Sequence, residues 1–160
     1  MEVSYMAKET KVWEIIREAG FEPIENKSII VSYAPADLSD AIVKFLGVST
    51  EFLVLQICME ELVLIPLIPF GKLDWGLKKD VALSIPFAEI IDVEIRESAL
   101  NYRLTIKTKK DVITLSVQQK GLSTLRSSGI LGGSLSEGNW HSENLDGTLQ
   151  ALQELQAGQD

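Results

Sequence analysis

The feature that most constrains the fold is a change of hydrophobic period near residue 51. Before this point apolar residues recur at helical spacing, and after it they alternate with polar residues or run almost uninterrupted. The segments 91–95, 102–106 and 113–117 each place an apolar side chain at every second position. Such alternation is typical of antiparallel strands with one buried and one solvent-facing side. The short polar turns between the segments predict a meander.

Two further strands are expected before this meander. The stretch 51–59 is almost entirely apolar, which predicts a strand that is buried on both faces. A second strand over 62–68 follows an acidic turn, and Pro66 directs it towards a sheet edge or a bulge. A loop is expected over 69–80 and a short strand over 81–85.

The first 50 residues predict a helical extension in front of the sheet. Apolar positions in 7–20 recur at helical spacing, and Gly20 stands where a glycine commonly ends a helix. The segment 37–47 repeats this pattern, which predicts a second helix. Between them, 28–33 is rich in β-branched and aromatic residues and predicts a strand.

The end of the chain predicts a loop followed by one helix. Residues 121–139 hold five of the eleven glycines and are expected to form a flexible loop. A helix is expected after it, within 140–157, with Ser142 as its N-cap. The apolar stripe of this helix consists of Leu145, Leu149 and Leu152. We expect these leucines and Trp140 to be buried, because a bent sheet must hide its open end and this helix can cap it.

These elements predict a single α+β domain over 1–160. The sheet is expected to form an antiparallel barrel or bent double sheet of about seven strands, capped by the C-terminal helix. Within it, 1–50 forms the N-terminal helical elaboration and 51–120 the strand meander. A chain of 160 residues with 46% hydrophobic residues is long and apolar enough to bury one core.

The strand region resembles bacterial pleckstrin-homology-like (PH-like) and GRAM-like domains. The resemblance is carried by 61–67, 83–95, 102–109, 113–117 and the pair Trp140-His141. Its most specific part is the step Ile85-Pro86-Phe87, which leads one strand into the next. The resemblance covers roughly 50–157 and implies a non-catalytic scaffold that binds proteins, peptides or lipids. The residues in front of it depart from the family pattern, either as an elaboration or as an insertion after the first strand.

The charge distribution suggests one candidate binding surface. The net charge of −8 and pI of about 4.7 argue against nucleic acid as a partner. Residues 72–120 nevertheless hold nine of the fifteen basic residues. The candidate ligand-binding residues are Lys72, Trp75, Lys78, Lys79, Lys107, Lys109 and Lys110. The lysines could present cations to an anionic lipid headgroup or an acidic peptide, with Trp75 as an apolar anchor in the same loop, or they could simply be solubilising lysines in loops.

No catalytic residue, metal site or cofactor is predicted. His141 is the only histidine and is expected to be structural, and Cys58 lies in an apolar run where a buried, inert thiol is expected. Asp92 and Glu94 lie two apart on one strand face, so they could share a cation. The alternative is a solvated face, in which they are balanced by Arg96 and by basic residues on the neighbouring strand.

The chain is expected to be cytoplasmic and to have no integral membrane segment. Its N-terminus is acidic where a signal peptide would be basic, and acidic residues interrupt its most apolar stretch, 52–70. The expected function is a non-catalytic interaction module whose partners are proteins or copies of itself. A peripheral lipid-binding module is the alternative, and an enzyme of unknown class is a remote one.

Overall fold

The computed structural model describes residues 9–32, 52–69, 75–77, 83–98, 101–118, 133–134 and 138–157. Its helices are α1 (Glu9–Glu18) and α2 (Trp140–Ala157). The first five strands are β1 (Pro23–Ser32), β2 (Phe52–Cys58), β3 (Glu61–Pro69), β4 (Trp75–Leu77) and β5 (Leu83–Pro86). They are followed by β6 (Ile90–Ser98), β7 (Asn101–Thr108), β8 (Val112–Gln118), β9 (Gly133–Ser134) and β10 (Gly138–Asn139).

The main sheet is antiparallel and strongly bent. Its strand order is β4-β3-β2-β1-β8-β7-β6, and β5 pairs with β3 at the same end of the sheet as β4. Only the 3₁₀ turn Phe87–Glu89 separates β5, at one end of this order, from β6 at the other. The two ends of the sheet therefore approach each other at this turn, without forming a closed barrel. The predicted α+β class, with about seven antiparallel strands and a C-terminal helix, is confirmed.

Hydrogen bonds hold the 3₁₀ turn to both sides of the sheet. The Phe87 amide donates to the Glu60 carbonyl at 2.9 Å, at the turn between β2 and β3. The Lys109 amide donates to the Glu89 carbonyl at 3.0 Å, at the turn between β7 and β8. Backbone bonds at both ends of a short turn fix its direction, so the bend between β5 and β6 is well defined.

Two apolar cores cover the two faces of β1, β2 and β3. The larger core lies between the concave face of the sheet and α2, and it includes Leu55, Leu64 and Leu104. The smaller core lies between α1 and the opposite face, where Val12 and Ile16 pack on alternate residues of the same strands. The prediction that 51–59 forms a strand buried on both faces is therefore confirmed.

The capping helix also agrees with its sequence pattern. Leu145, Leu149 and Leu152 are buried in the larger core, and Trp140 is buried in the smaller one, as predicted. The helix begins at Trp140, however, so the prediction that Ser142 is its N-cap is wrong. α2 packs against β1 and β6, which lie three places apart in the strand order, and so it spans the concave side of the sheet.

Two strands depart from the predicted bounds. β1 starts at Pro23, five residues before the expected start, and contains a bulge between Pro23 and Ser28, where Asn26 adopts a positive φ of 65°. Asparagine tolerates this left-handed conformation better than most residues. β4 lies inside the predicted loop 69–80, where it pairs with the last three residues of β3.

Some predictions lie partly or wholly outside the described residues. The predicted helix 37–47 is one of them. In the predicted flexible loop 121–139, only 133–134 and 138–139 are described, and these form the short antiparallel pair β9–β10.

Candidate functional site

A buried polar network lies where α1, the sheet and α2 meet. Ser28 on β1 and Gln56 on β2 are directly opposite each other, and both are fully buried. The Ser28 hydroxyl donates to Gln56 Oε1, while Gln56 Nε2 donates to the carbonyls of Ile24 and Ile57 at 2.7 Å each. The Gln56 amide thus uses both its oxygen and its nitrogen inside the protein, as a buried polar group requires.

Asn144 connects this network to both helices. Its Nδ2 donates to the Ser28 carbonyl at 3.0 Å and to Glu9 Oε2 at 2.6 Å. Burial raises the pKa of the Glu9 carboxyl above its usual value, although the hydrogen bonds from Asn144 and Ser28 oppose this shift. The bond between Glu9 and Asn144 holds the first turn of α1 against the first turns of α2.

The single histidine is part of the same region. His141 is fully buried on α2, and its Nδ1 accepts the backbone N–H of Ile30 at 2.9 Å. An accepting Nδ1 requires a neutral ring with its hydrogen on Nε2. The lone pair that a general base would use is therefore occupied by the β1 backbone. The geometry thus shows His141 buried and bonded to the backbone of β1.

The single cysteine also lies inside the protein. Cys58 is buried at the end of β2, beneath α1. Burial, together with the nearby carboxylates of Glu61 and Glu22, raises the pKa of the Cys58 thiol to about 12. A thiol in this state is protonated at neutral pH and is a poor nucleophile.

The outer face of β6 and β7 is polar and exposed. Glu94 and Arg96 form a two-point ion pair on β6, with N–O distances of 3.2 Å for both contacts. On β7, Lys107 lies opposite Asp92, and Arg103 lies opposite Arg96. This arrangement agrees with the solvated-face alternative, because Arg96 already holds the Glu94 carboxylate. In the described ranges, no group of three or more His, Cys, Asp or Glu side chains is placed to hold a metal ion.

Among the described strands, β6 lies at one end of the sheet. Among the described strands it pairs only with β7, which leaves its second backbone edge without a described neighbour. Ile91, at a bulge near its start, is 56% exposed. A strand at the end of a sheet that carries an exposed apolar side chain is a common place for another chain to bind.

The structure describes only part of the predicted lysine surface. Lys107, Lys109 and Lys110 are exposed on the hairpin between β7 and β8. Trp75 is the first residue of β4, opposite Pro69, and only its backbone is described. Lys72, Lys78 and Lys79 lie outside the described residues. The expectation that the lysines of 72–79 and those of 107–110 form one binding surface therefore stays a prediction.

The sequence interpretation missed the buried network and its role. The one available signal was Gln56, a polar residue in the middle of a strand predicted to be buried on both faces. A buried amide must find partners, but the sequence does not show that they are Ser28 and the carbonyls of Ile24 and Ile57.

Comparison with known proteins does not place the chain in a family. No protein-family model matches the chain, and no curated protein matches it. Neither of the two described helices is both long and apolar enough to cross a membrane.

Proposed function

We propose that this chain is a non-catalytic, PH-like interaction module that binds a protein partner along the edge of β6. The observation that carries the proposal is the nine-residue β6, whose second edge has no neighbour among the described strands. A partner segment in extended conformation can add to such an edge by backbone hydrogen bonds, while its side chains contact the exposed residues beside it.

The positions of the most reactive side chains support a binding role. His141 and Cys58 are both buried, the first holding a backbone amide and the second protonated at neutral pH. The polar groups of Gln56 and Asn144 are likewise engaged in internal hydrogen bonds. These residues stabilise the scaffold, and the β6 edge without a described neighbour is the feature best suited to contact another molecule.

The test is affinity capture with variants at two exposed apolar sites. Tagged protein is incubated with lysate from its source under mild crosslinking, and the captured proteins are quantified. Ile91→Asp places a charge beside the β6 edge and is expected to reduce capture of the partner at least about tenfold. Met59→Asp, at the exposed turn between β2 and β3, is the matched control and should capture as the wild type does. Equal capture by both variants would contradict the proposal.

A lipid-binding module is the second candidate, favoured by the three exposed lysines of the β7–β8 hairpin. Each lysine near an anionic surface contributes about 1 kcal/mol, but the net charge of −8 opposes the approach. We expect no co-sedimentation with vesicles of about 30% anionic lipid at physiological salt. Salt-sensitive binding that is abolished by changing Lys107, Lys109 and Lys110 to glutamate would make lipid binding the favoured function. The same test applies to Lys72, Lys78 and Lys79.

A further inference from the structure

The exposed face of β6 carries charges in an order that suits pairing with itself. Glu94 and Arg96 lie on either side of Ile95 and have opposite charges, and both side chains are at least half exposed. When two identical antiparallel strands pair about a two-fold axis, residues equidistant from the axis lie opposite each other. An axis at Ile95 therefore places Glu94 of each copy opposite Arg96 of the other.

We propose that a second copy of this chain pairs β6 to β6 about a two-fold axis at Ile95, so that the sheet continues across the dimer. This inference rests on the proposed function and names its partner. Glu94 and Arg96 of the two copies then form two symmetric ion pairs on the outer face. Val93 lies opposite Glu97, and Asp92 lies opposite Ser98.

The charges also select this register over the neighbouring ones. Side chains alternate between the two faces of a strand, and residues opposite each other in a sheet share a face. In a pair of identical strands, opposite residues are therefore an even number of positions apart, and the two-fold axis passes through a residue and its copy. Moving the axis to any other position from Asp92 to Glu97 places like charges opposite each other. An axis at Val93, for example, opposes Asp92 and Glu94. Like charges in directly opposite positions are destabilising, which disfavours these alternatives.

The register of β6 and β7 places a second cation opposite Arg96. This residue is Arg103, and like charges in directly opposite positions are destabilising. In the proposed dimer, Glu94 of the second copy lies on the other side of Arg96. The guanidinium groups are then flanked by carboxylates, and the ion pairs form a network across the two-fold axis. Networks of exposed charges stabilise more than isolated pairs do.

The contact is small, so the dimer should be weak and depend on concentration. An interface of one strand pair and its flanking side chains is at the lower end of the size range of specific complexes. Sedimentation velocity between about 10 µM and 1 mM covers the corresponding range of affinities. The wild type is expected to shift from monomer to dimer across this range.

Charge reversal provides the test. Arg96→Glu places carboxylates at both position 94 and position 96, and Glu94→Arg places guanidinium groups at both, so each variant alone should dimerise at least about tenfold more weakly. An equimolar mixture of the two variants should dimerise, because the opposite charges face each other again. The double variant E94R/R96E should also form a dimer. Lys11→Glu, which changes the charge by the same amount as Arg96→Glu in an exposed pair on α1, is the control and should behave as the wild type.

Recovery in the mixture shows that both single variants are folded. A wild type that stays monomeric at about 1 mM would overturn the proposed dimer. So would a dimer that Arg96→Glu leaves unchanged, or single variants that fail to associate when mixed. None of these results alters the capture experiment with Ile91→Asp and Met59→Asp, which tests separately whether β6 binds another protein.

Discussion

At the scale of single residues, the centre of the molecule is held by polar groups as well as apolar ones. Ser28, Gln56 and Asn144 lie in buried positions and satisfy one another or the backbone. Hydrogen bonds of this kind add little net stability when they form, but losing one partner leaves the others buried and unpaired. The network should therefore be sensitive to the loss of any one of its members.

Replacing Gln56 by leucine should be strongly destabilising. The Ser28 hydroxyl would lose its Gln56 acceptor and keep only Glu9, and the carbonyls of Ile24 and Ile57 would lose a donor, at a total cost of about 2 to 4 kcal/mol. Chemical denaturation measures the change. The same replacement at Gln150, which is exposed on α2 and donates a hydrogen bond to Glu154, serves as the control. Similar losses for both variants would contradict the role assigned to the network.

Glu9→Gln should stabilise the protein at neutral pH. Because burial raises the pKa of Glu9 in the folded state, the folded protein binds this proton more tightly than the unfolded chain does. The contribution of Glu9 to stability is therefore greatest below its usual pKa and is lost as the pH rises through its higher folded pKa. Glutamine removes the buried charge and keeps an oxygen that can accept from Asn144 Nδ2.

Thermal melting measured as a function of pH tests this predicted pH dependence of stability. The advantage of Glu9→Gln over the wild type should be present at pH 7 and shrink as the pH falls through the titration range of Glu9. Glu18→Gln, at an exposed position on the same helix, controls for removing one negative charge from a chain of net charge −8. An equal gain from both variants would mean that the effect is general and does not come from the burial of Glu9.

At the scale of elements, each helix covers one face of the sheet. α1 covers the outer face of β1, β2 and β3, while α2 lies on the concave side and reaches β6. Gly147 interrupts the middle of α2 and makes that helix weak in isolation, by about 1 kcal/mol relative to alanine. Packing of the leucine stripe must therefore provide most of the stability of α2.

Leu149→Asp should destabilise the protein by about 3 to 5 kcal/mol, because it places an unpaired charge in the larger core. Gln150→Asp introduces the same residue at the next position, on the exposed side of α2, and should cost less than about 1 kcal/mol. Denaturant unfolding compares the two variants. If Leu149→Asp kept the stability of the wild type, α2 would not cap the core.

At the scale of the whole molecule, the two halves of the sheet have different surroundings. β2 has a paired strand on each side and an apolar core on each face. β6 pairs with one described strand, and its outer face carries exposed charges. Local stability follows burial and pairing, so the two strands should differ in how readily their backbones open.

Hydrogen exchange of the dilute protein should show this difference. The amides of β2 are expected to exchange only by global unfolding, and those on the β6 edge that faces away from β7 at least about tenfold faster. Dilution keeps the protein monomeric, so that a second copy does not protect the edge. Equal protection of β2 and β6 in dilute protein would mean that the β6 edge is covered within one chain, which would contradict both proposals.

The sequence by itself determined the elements whose signal is local. The helical spacing of α1 and α2, the doubly buried β2 and the alternation of β6, β7 and β8 are properties of neighbouring residues. Each was therefore predictable without knowing the rest of the fold. The burial of Leu145, Leu149 and Leu152 follows from the same periodicity. The likeness to PH-like domains stays a prediction, since no comparison tests it.

Only the tertiary structure decided the features that depend on distant partners. Gln56 meets residues 28 and 32 positions away, and His141 meets the amide of Ile30, which is 111 positions away. β4 forms in a predicted loop because β3 offers it an edge, and β6 comes last among the described strands because of the strand order. Periodicity reports which side of an element is buried, but not which other element covers it. The candidate binding edge could therefore not be predicted from the chain alone.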